Sequence, residues 1–406
     1  MKKISLISAG LLAAMSLSAQ TAVVKEVEGL VKSKQYANAL QAIQPALTNP
    51  ETANTAAPWY LAGKASVGIW DEYSILANNA SPEQQKAAGK ALVDAYNYFV
   101  KALPLDSLPN EKGKIKPKYS KEIKKTIGEN YKQYMNAGIT LYNVQDYPVA
   151  YQALDIYVNM PQNPNADPKS YVVDPADVVG QIAYYQGLAA FFSENYKGAI
   201  EQVGKALELG YGEKSAYILG LEASNNISDD ASAIKFATEG NKLFGANDIS
   251  FLATIVNTAL KTDDYAACHQ AINESMAIAA NDSIKSALHN VTAIIYEREG
   301  KIEDARKCLN ESITLNPSNA KSYFDMGRLL QNEVAGKEDN ADDATRMNVL
   351  VPQLKEAIKY YEKSYDLDDT QAELPGYIYR LYYNLDQNYH LGDEYAQKAK
   401  YWEQLR

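Results

Sequence analysis

A small residue followed four positions later by an apolar one recurs along this chain at a nearly constant interval. Counting backwards from Ala305, the small position recurs at Cys268, Ala233 and Ala199, in steps of 37, 35 and 34 residues. The same phase continues to Ala150, Ala95 and Ala39 upstream, and to Ala357 and Ala396 downstream. A period of this length is typical of chains that repeat one supersecondary unit, and not of a single globular core.

Each copy has the pattern of a helical hairpin. Within a copy, small and apolar residues follow the three- and four-residue spacing of one helix face. In "EREGKIEDARKCLNESITLNP" (297–317), Gly300 stands where a first helix must end, and Asn316-Pro317 stops the second. Two helices that fold against each other need small side chains where their backbones approach, and one pair cannot bury its apolar face alone. We therefore predict an all-α chain of stacked hairpins.

The pattern resembles the tetratricopeptide repeat (TPR) family, whose 34-residue helix–turn–helix carries W-x2-L-G-x2-Y, then A-x3-F, then Pro. The matching stretches are "WYLAG" (59–63), "YQGLAAFFSENYKGAIEQVGKALELG" (185–210) and "YFDMG" (323–327). The resemblance covers nearly all of residues 22–406. It implies a right-handed α-α superhelix, a TPR-like solenoid of about nine helical hairpins with loop insertions, and we assign residues 20–406 to this array.

Four steps of the repeat exceed its usual length, and the excess lies mainly in 71–90, 104–118, 159–177 and 332–352. We expect loop insertions near the last three, because 159–177 is rich in Pro, Asn and Asp and 332–352 is acidic. Such insertions either build a binding edge or are tolerated surface length, and the second interpretation is simpler because longer loops cost little entropy. The final stretch, about 391–406, predicts a polar terminal cap.

Residues 1–19 have the three parts of a secretory signal peptide. Lys2 and Lys3 precede an apolar run that extends to about Leu17, and Ser18 and Ala19 supply the small residues of a cleavage site. The run is too short to span a bilayer, and we expect no integral membrane segment later in the chain. The first cysteine is residue 268, so there is no lipid-anchor cysteine near the cleavage site. The prediction is a periplasmic or secreted protein.

The sequence offers little chemistry. The formal net charge of −10 repels phosphate backbones, so we expect no nucleic-acid partner. There is no Walker A motif, no G-x-S-x-G and no H-E-x-x-H. His269, His289 and His390 lack paired-ligand spacing, and Cys268 and Cys308 are expected on neighbouring helices beyond easy disulfide reach. We predict a protein that is not an enzyme, with no cofactor and no metal. A disulfide between the two cysteines is the less favoured alternative, and the sequence leaves it open.

In TPR proteins the first helices of the pairs line a concave groove, and the resemblance carries groove positions over to this chain by their spacing from the matched glycines. The resulting ligand-groove candidates are Tyr60, Lys64, Tyr142, Tyr184, Phe191, Tyr217, Phe324 and Arg328. Aromatic rings bury a large area at low rotamer cost and suit extended peptides or the faces of sugars. For any single tyrosine, however, packing between repeats is the simpler interpretation.

These observations predict a non-catalytic protein–protein interaction scaffold that binds a peptide or partner protein. The alternative is a soluble carbohydrate- or nutrient-binding protein of the bacterial envelope, in which stacked tyrosines grip sugar rings. The missing lipid-anchor cysteine and the low count of 3 tryptophans make this alternative the weaker one.

Overall fold

The computed structural model describes residues 22–76, 79–109 and 113–406, so the signal peptide predicted for 1–19 lies outside the described residues. The described residues are helical, and their β-structure is limited to an isolated bridge between Pro109 and Ile115. The predicted all-α fold class is therefore confirmed. None of the helices in the described ranges combines the length and the apolar character that crossing a bilayer requires. The chain divides into two compact units, Met1–Asp229 and Asp230–Arg406.

Unit 1 is built from consecutive antiparallel helix pairs. Its helices are α1 (22–32), α2 (Tyr36–Thr48), α3 (Ala56–Leu76), α4 (Pro82–Asp106), α5 (Ser120–Glu129), α6 (Tyr131–Asn143), α7 (Tyr147–Val158), α8 (Ala176–Phe192), α9 (Tyr196–Glu208) and α10 (Lys214–Asn226). The pairs are α1/α2, α3/α4, α6/α7 and α8/α9, and α10 packs on α9. The short helix α5 belongs to no pair and lies against α4 and α6.

Unit 2 continues the same arrangement. Its helices are α11 (Asp230–Phe244), α12 (Ser250–Leu260), α13 (Tyr265–Ile278), α14 (Asp282–Arg298), α15 (Ile302–Leu315), α16 (Ala320–Glu338), α17 (Asp343–Thr345), α18 (Val351–Leu367), α19 (Leu374–Gln387) and α20 (Asp393–Gln404). The pairs are α12/α13, α14/α15, α16/α18 and α19/α20, with α11 packed on α12. A π-helical turn, Arg346–Leu350, joins α17 to α18.

The small positions of the repeat lie where the pairing model requires them. Eight of them are at most 1% exposed: Ala39, Ala95, Ala150, Ala199, Ala233, Cys268, Ala305 and Ala357. Ala233 lies on α11, and the other seven lie on the second helix of a pair. The ninth, Ala396 in α20, is only partly buried, and α20 instead buries Ala399 and Trp402. The rest of α20 is largely polar and exposed, as in the predicted terminal cap.

The first helix of a pair supplies a complementary glycine. A Cβ on Gly63 of α3 would lie 2.4 Å from the Phe99 ring of α4, and a Cβ on Gly327 of α16 would lie 3.0 Å from the Tyr361 ring of α18. Both Phe99 and Tyr361 stand four residues after a small repeat position and have no exposed surface. The bulky side chain of one helix therefore fills the gap that the glycine of its partner leaves.

The segments that lengthen the repeat differ in structure. The loop predicted for 332–352 is wrong, because α16 continues to Glu338 and residues 343–350 form α17 and the π-turn. The excess in 71–90 is taken up by long helices, since α3 has 21 residues and α4 has 25. Near 104–118, α4 continues to Asp106, and residues 107–109 and 113–118 are not helical.

The 159–177 segment is a loop after one short 3-10 turn, and it is anchored to the helices beneath it. Met160 is completely buried and accepts a 2.9 Å hydrogen bond from the Tyr171 hydroxyl through its carbonyl oxygen. The Asn163 side-chain amide donates to the Tyr96 hydroxyl of α4 at 2.9 Å. These contacts anchor the loop to the helices of unit 1, so it has a defined conformation.

Candidate functional site

The helix α8 carries an aromatic face and a small-residue face. Tyr184 and Phe191 are seven residues apart, as are Tyr185 and Phe192, so two turns of helix bring each pair to the same side. The other side of α8 packs against α9, where a Cβ on Gly187 would lie 3.3 Å from the Val203 side chain. The helix therefore uses its small residues for packing and leaves the aromatic rings at the surface.

These rings join others from the preceding hairpin. Tyr142 of α6 has its ring centroid 6.4 Å from that of Tyr185 and 6.3 Å from that of Phe192. Tyr147, the first residue of α7, stacks on Phe192 at 5.1 Å. Phe192 is 51% exposed, which is unusual for so large an apolar ring. We call the surface formed by Tyr142, Tyr147, Tyr184, Tyr185, Phe191 and Phe192 the α8 aromatic surface.

The hydroxyl group of Tyr142 stays protonated at neutral pH. Burial raises the pKa of Tyr142 above its ordinary value, and the neighbouring hydroxyls of Tyr147, Tyr184 and Tyr185 raise it further. A phenol hydroxyl both donates and accepts hydrogen bonds. The surface thus combines apolar rings with polar tips.

Tyr60 and Lys64 of α3 form a separate cluster with the short helix α5. The Tyr60 ring stacks on that of Tyr119 with centroids 4.4 Å apart, and Lys64 Nζ lies 3.0 Å from Glu122 Oε1. Burial raises the pKa of Tyr60, and its hydrogen bond to the Glu122 carboxylate raises it further. Both predicted groove residues thus contact side chains at the start of α5.

Tyr217 and Phe324 act mainly in packing. Tyr217 of α10 is 7% exposed, so it offers little surface to a ligand. Phe324 of α16 is half-buried, with its ring 5.5 Å from that of Tyr361 and 5.6 Å from that of Tyr377. It therefore fills the junction of α16, α18 and α19.

Arg328 of α16 is the centre of an ion-pair network. Its guanidinium bonds Glu297 of α14 at 2.8 and 3.0 Å and Asp325 at 3.2 Å. Burial acts to lower the pKa of Arg328, but the bond to Glu297 and the charge of Asp325 outweigh it and raise the pKa. A cleft of about 500 Å³ opens here between α14 and α16. Because two carboxylates already neutralise Arg328, its side chain is poorly suited to clamp a C-terminal carboxylate.

The predicted groove residues therefore separate into groups. The structure brings Tyr142, Tyr184 and Phe191 together on the α8 aromatic surface. It places Tyr60 against Tyr119 and Lys64 against Glu122, at the start of α5. Phe324 and Arg328 lie in unit 2. The sequence analysis missed Tyr147, Tyr185 and Phe192, although the seven-residue spacing from Tyr185 to Phe192 was visible in the sequence.

A group of potential metal ligands lies in unit 2. Among the described residues, His289 of α14 and Cys308 and Glu311 of α15 bring one ligand atom each within 4.8 Å of one another. Both cysteines, Cys268 and Cys308, are free thiols.

Helix pairs of this geometry, with a small residue on the second helix and a glycine facing it from the first, define a TPR-like helical-repeat protein. The resemblance in the repeat motifs is thus matched by the chain's own fold. No protein-family model matches the chain, and no curated protein matches it.

Solved structures with similarity to the chain include several TPR proteins. The TPR repeats protein BF2334 from Bacteroides fragilis is 16% identical, with 62% of this chain and 97% of that chain covered and a TM-score of 0.33. The TPR domain of P58(IPK) is 13% identical, with 91% and 99% covered and a TM-score of 0.29. The human IFIT1 dimer with m7Gppp-AAAA is 12% identical, with 82% and 71% covered and a TM-score of 0.36. The assignment of the fold rests on the chain's own helix pairing and not on these values.

Proposed function

We propose that the chain is a non-catalytic interaction scaffold that binds an extended peptide or a segment of a partner protein across the α8 aromatic surface. The observation that carries the proposal is the 51% exposure of Phe192, whose ring contacts two half-buried tyrosines of the preceding hairpin, Tyr142 and Tyr147. Energetically important residues of interfaces are enriched in large rings that bury much area and lose little side-chain entropy.

The charge of the chain favours one kind of partner. A formal net charge of −10 attracts basic polypeptide segments and repels nucleic acid and anionic surfaces. The alternative, carbohydrate binding through the same rings, predicts ligands with flat apolar faces in place of peptide backbone.

We further propose that the scaffold works in the periplasm or outside the cell, after removal of a signal peptide at residues 1–19. The lysines, apolar run and small residues of that segment support this location. The mass of the protein isolated from its native source tests it: a chain that starts at Gln20 is expected, and one that retains Lys2 and Lys3 contradicts the proposal.

Selection from a displayed peptide library, run beside a glycan array, tests the binding function. Peptides selected by the wild type should lose at least about tenfold in affinity for Phe192→Ser and for Tyr184→Ser, as removal of a central ring does. Leu243→Ser is the matched control, since Leu243 is 58% exposed but lies in unit 2. Array hits that are lost with Phe192→Ser, in the absence of selected peptides, would replace the proposal with the carbohydrate-binding alternative.

A further inference from the structure

His289 of α14 and the pair Cys308 and Glu311 of α15 converge between two packed helices. His289 Nδ1 lies 3.1 Å from Glu311 Oε2. Cys308 Sγ lies within 4.8 Å of one ring nitrogen of His289 and one carboxylate oxygen of Glu311. Cys308 and Glu311 share one face of α15 because they are three residues apart. The sequence gives no sign of this group, since His289 is separated from both partners by a helix end and a turn.

The donor set has the chemistry of a zinc site. Imidazole nitrogen, thiolate sulfur and carboxylate oxygen together suit Zn²⁺ better than Mg²⁺ or Ca²⁺, which prefer oxygen alone. In a tetrahedral zinc site the ligand atoms lie about 3.3–3.8 Å apart, given Zn–N and Zn–S bonds of about 2.0 and 2.3 Å. The separation between His289 and Glu311 is already close to this range, and Cys308 needs a shift of roughly 1–1.5 Å at most.

We propose that His289, Cys308 and Glu311 bind a zinc ion, with a fourth coordination position open to water or to a further ligand. The accessibility of the three side chains agrees with an ion that enters from solvent. Cys308 is 9% exposed and forms the floor, whereas the side chains of His289 and Glu311 are 24% and 44% exposed.

The charge beside the thiol is compatible with a cation. The Glu311 carboxylate, one of the three converging groups, attracts a divalent ion, and binding of the ion to Cys308 displaces the thiol proton. The competing interpretation is a partly exposed His289–Glu311 pair beside a cysteine that acts as a small apolar residue.

Cobalt substitution distinguishes the two interpretations. Co²⁺ added to the full chain should produce a sulfur-to-cobalt charge-transfer band at one ion per chain, and Zn²⁺ should displace it. The band should vanish in Cys308→Ser and persist in Cys268→Ser, because Cys268 lies on α13 and is fully buried elsewhere. His289→Gln and Glu311→Gln should each weaken Zn²⁺ binding at least as much as loss of an outer-shell partner does, about 10- to 100-fold.

A measurement on the wild-type chain guards against a variant that fails to fold. Zn²⁺ should slow alkylation of Cys308 by a maleimide and leave the rate at Cys268 unchanged, with each site read by peptide mass spectrometry. Absence of the charge-transfer band in the wild type, or equal effects of Zn²⁺ on the two thiols, would overturn the proposal. Affinity that is unchanged in both His289→Gln and Glu311→Gln would overturn it as well.

Discussion

Gly138 of α6 lies so close to Leu154 of α7 that a Cβ on the glycine would be 2.3 Å from a Leu154 methyl carbon and 3.3 Å from its backbone nitrogen. The leucine stands four residues after the buried small residue Ala150 and has no exposed surface. Gly138→Ala should therefore force the two helices apart and destabilise unit 1 by about 1–3 kcal/mol, the usual cost of overpacking. The lowered midpoint of thermal unfolding, followed by circular dichroism, measures the effect.

Gly204 supplies the matched control for this substitution. It lies inside α9, in the next hairpin, and a Cβ there would meet nothing within 4 Å. Gly204→Ala should raise the midpoint, because alanine is favoured over glycine in a helix by about 0.5–1 kcal/mol. If the two variants shifted the midpoint in the same direction, the close approach at Gly138 would not be the reason for its glycine.

The packing of Gly138 and Gly204 shows which parts of the fold can be predicted from the sequence. The pairing of Ala150 with Leu154 is a local spacing on one helix, so the repeat period and the buried face could be predicted. The contact of Tyr60 with Tyr119 could not, because α5 has no counterpart in other repeats and its docking depends on residues far along the chain. The helices within 332–352 could not be predicted either, because a helix with a charged, solvent-facing surface has a weak apolar stripe.

Part of the candidate site can also be predicted from the sequence. Tyr142, Tyr184 and Phe191 were found through their spacing from matched glycines, and the structure places them on one surface. The same rule also selected Arg328, whose role depends on Glu297 one hairpin earlier and therefore on tertiary structure. The group of His289, Cys308 and Glu311 could not be found, since helix pairing alone brings it together.

The buried Tyr157 of α7 holds the 159–177 segment in place. Its ring stacks on Tyr131 at 4.5 Å, and its hydroxyl donates a 2.7 Å hydrogen bond to the Asp174 carboxylate. Tyr157→Phe should weaken this anchor by about 1–3 kcal/mol, as expected for a hydrogen bond to a charged acceptor. Limited proteolysis should then cleave within 159–177 several-fold faster than in the wild type. Tyr383→Phe, at a residue 49% exposed in unit 2, should leave the rate unchanged. Equal cleavage of all three chains would contradict the anchoring role.

Asp106, the last residue of α4, holds the start of α5 in place through hydrogen bonds. Its carboxylate accepts hydrogen bonds of 2.7–2.9 Å from the backbone amides of Lys118, Tyr119 and Ser120, and one of 2.7 Å from the Ser120 hydroxyl. Burial acts to raise the pKa of Asp106, but the bonds from Ser120 and from the backbone outweigh it and lower the pKa. Asp106 also positions Tyr119, which stacks on Tyr60.

The pH dependence follows from the direction of this shift. A carboxylate whose folded-state pKa lies below the unfolded value of about 4 contributes stability above that pH and loses it as the pH falls through the folded-state pKa. Asp106→Asn should therefore reduce amide protection at 118–120 by roughly tenfold at neutral pH, with a smaller difference in acid. Hydrogen exchange measures this directly. Asp94→Asn, at a carboxylate of α4 that pairs with Lys90 at the surface, is the control and should change protection little at any pH.

Asp325 of α16 is 3% exposed and pairs with two cations of very different burial. The first is Arg328, which also bonds Glu297, and the second is Lys321, at 3.5 Å and with its side chain 65% exposed. Arg328→Ala should destabilise α14 and α16 by about 2–4 kcal/mol, because it leaves two largely buried carboxylates without their main partner. Lys321→Ala should cost at most about 1 kcal/mol, since a solvated cation interacts weakly.

Hydrogen exchange of the α14 and α16 amides measures both variants. Similar protection in the two would show that Arg328 is not needed to hold these helices together, and would leave it free for the ligand-binding role that its position in the repeat predicts.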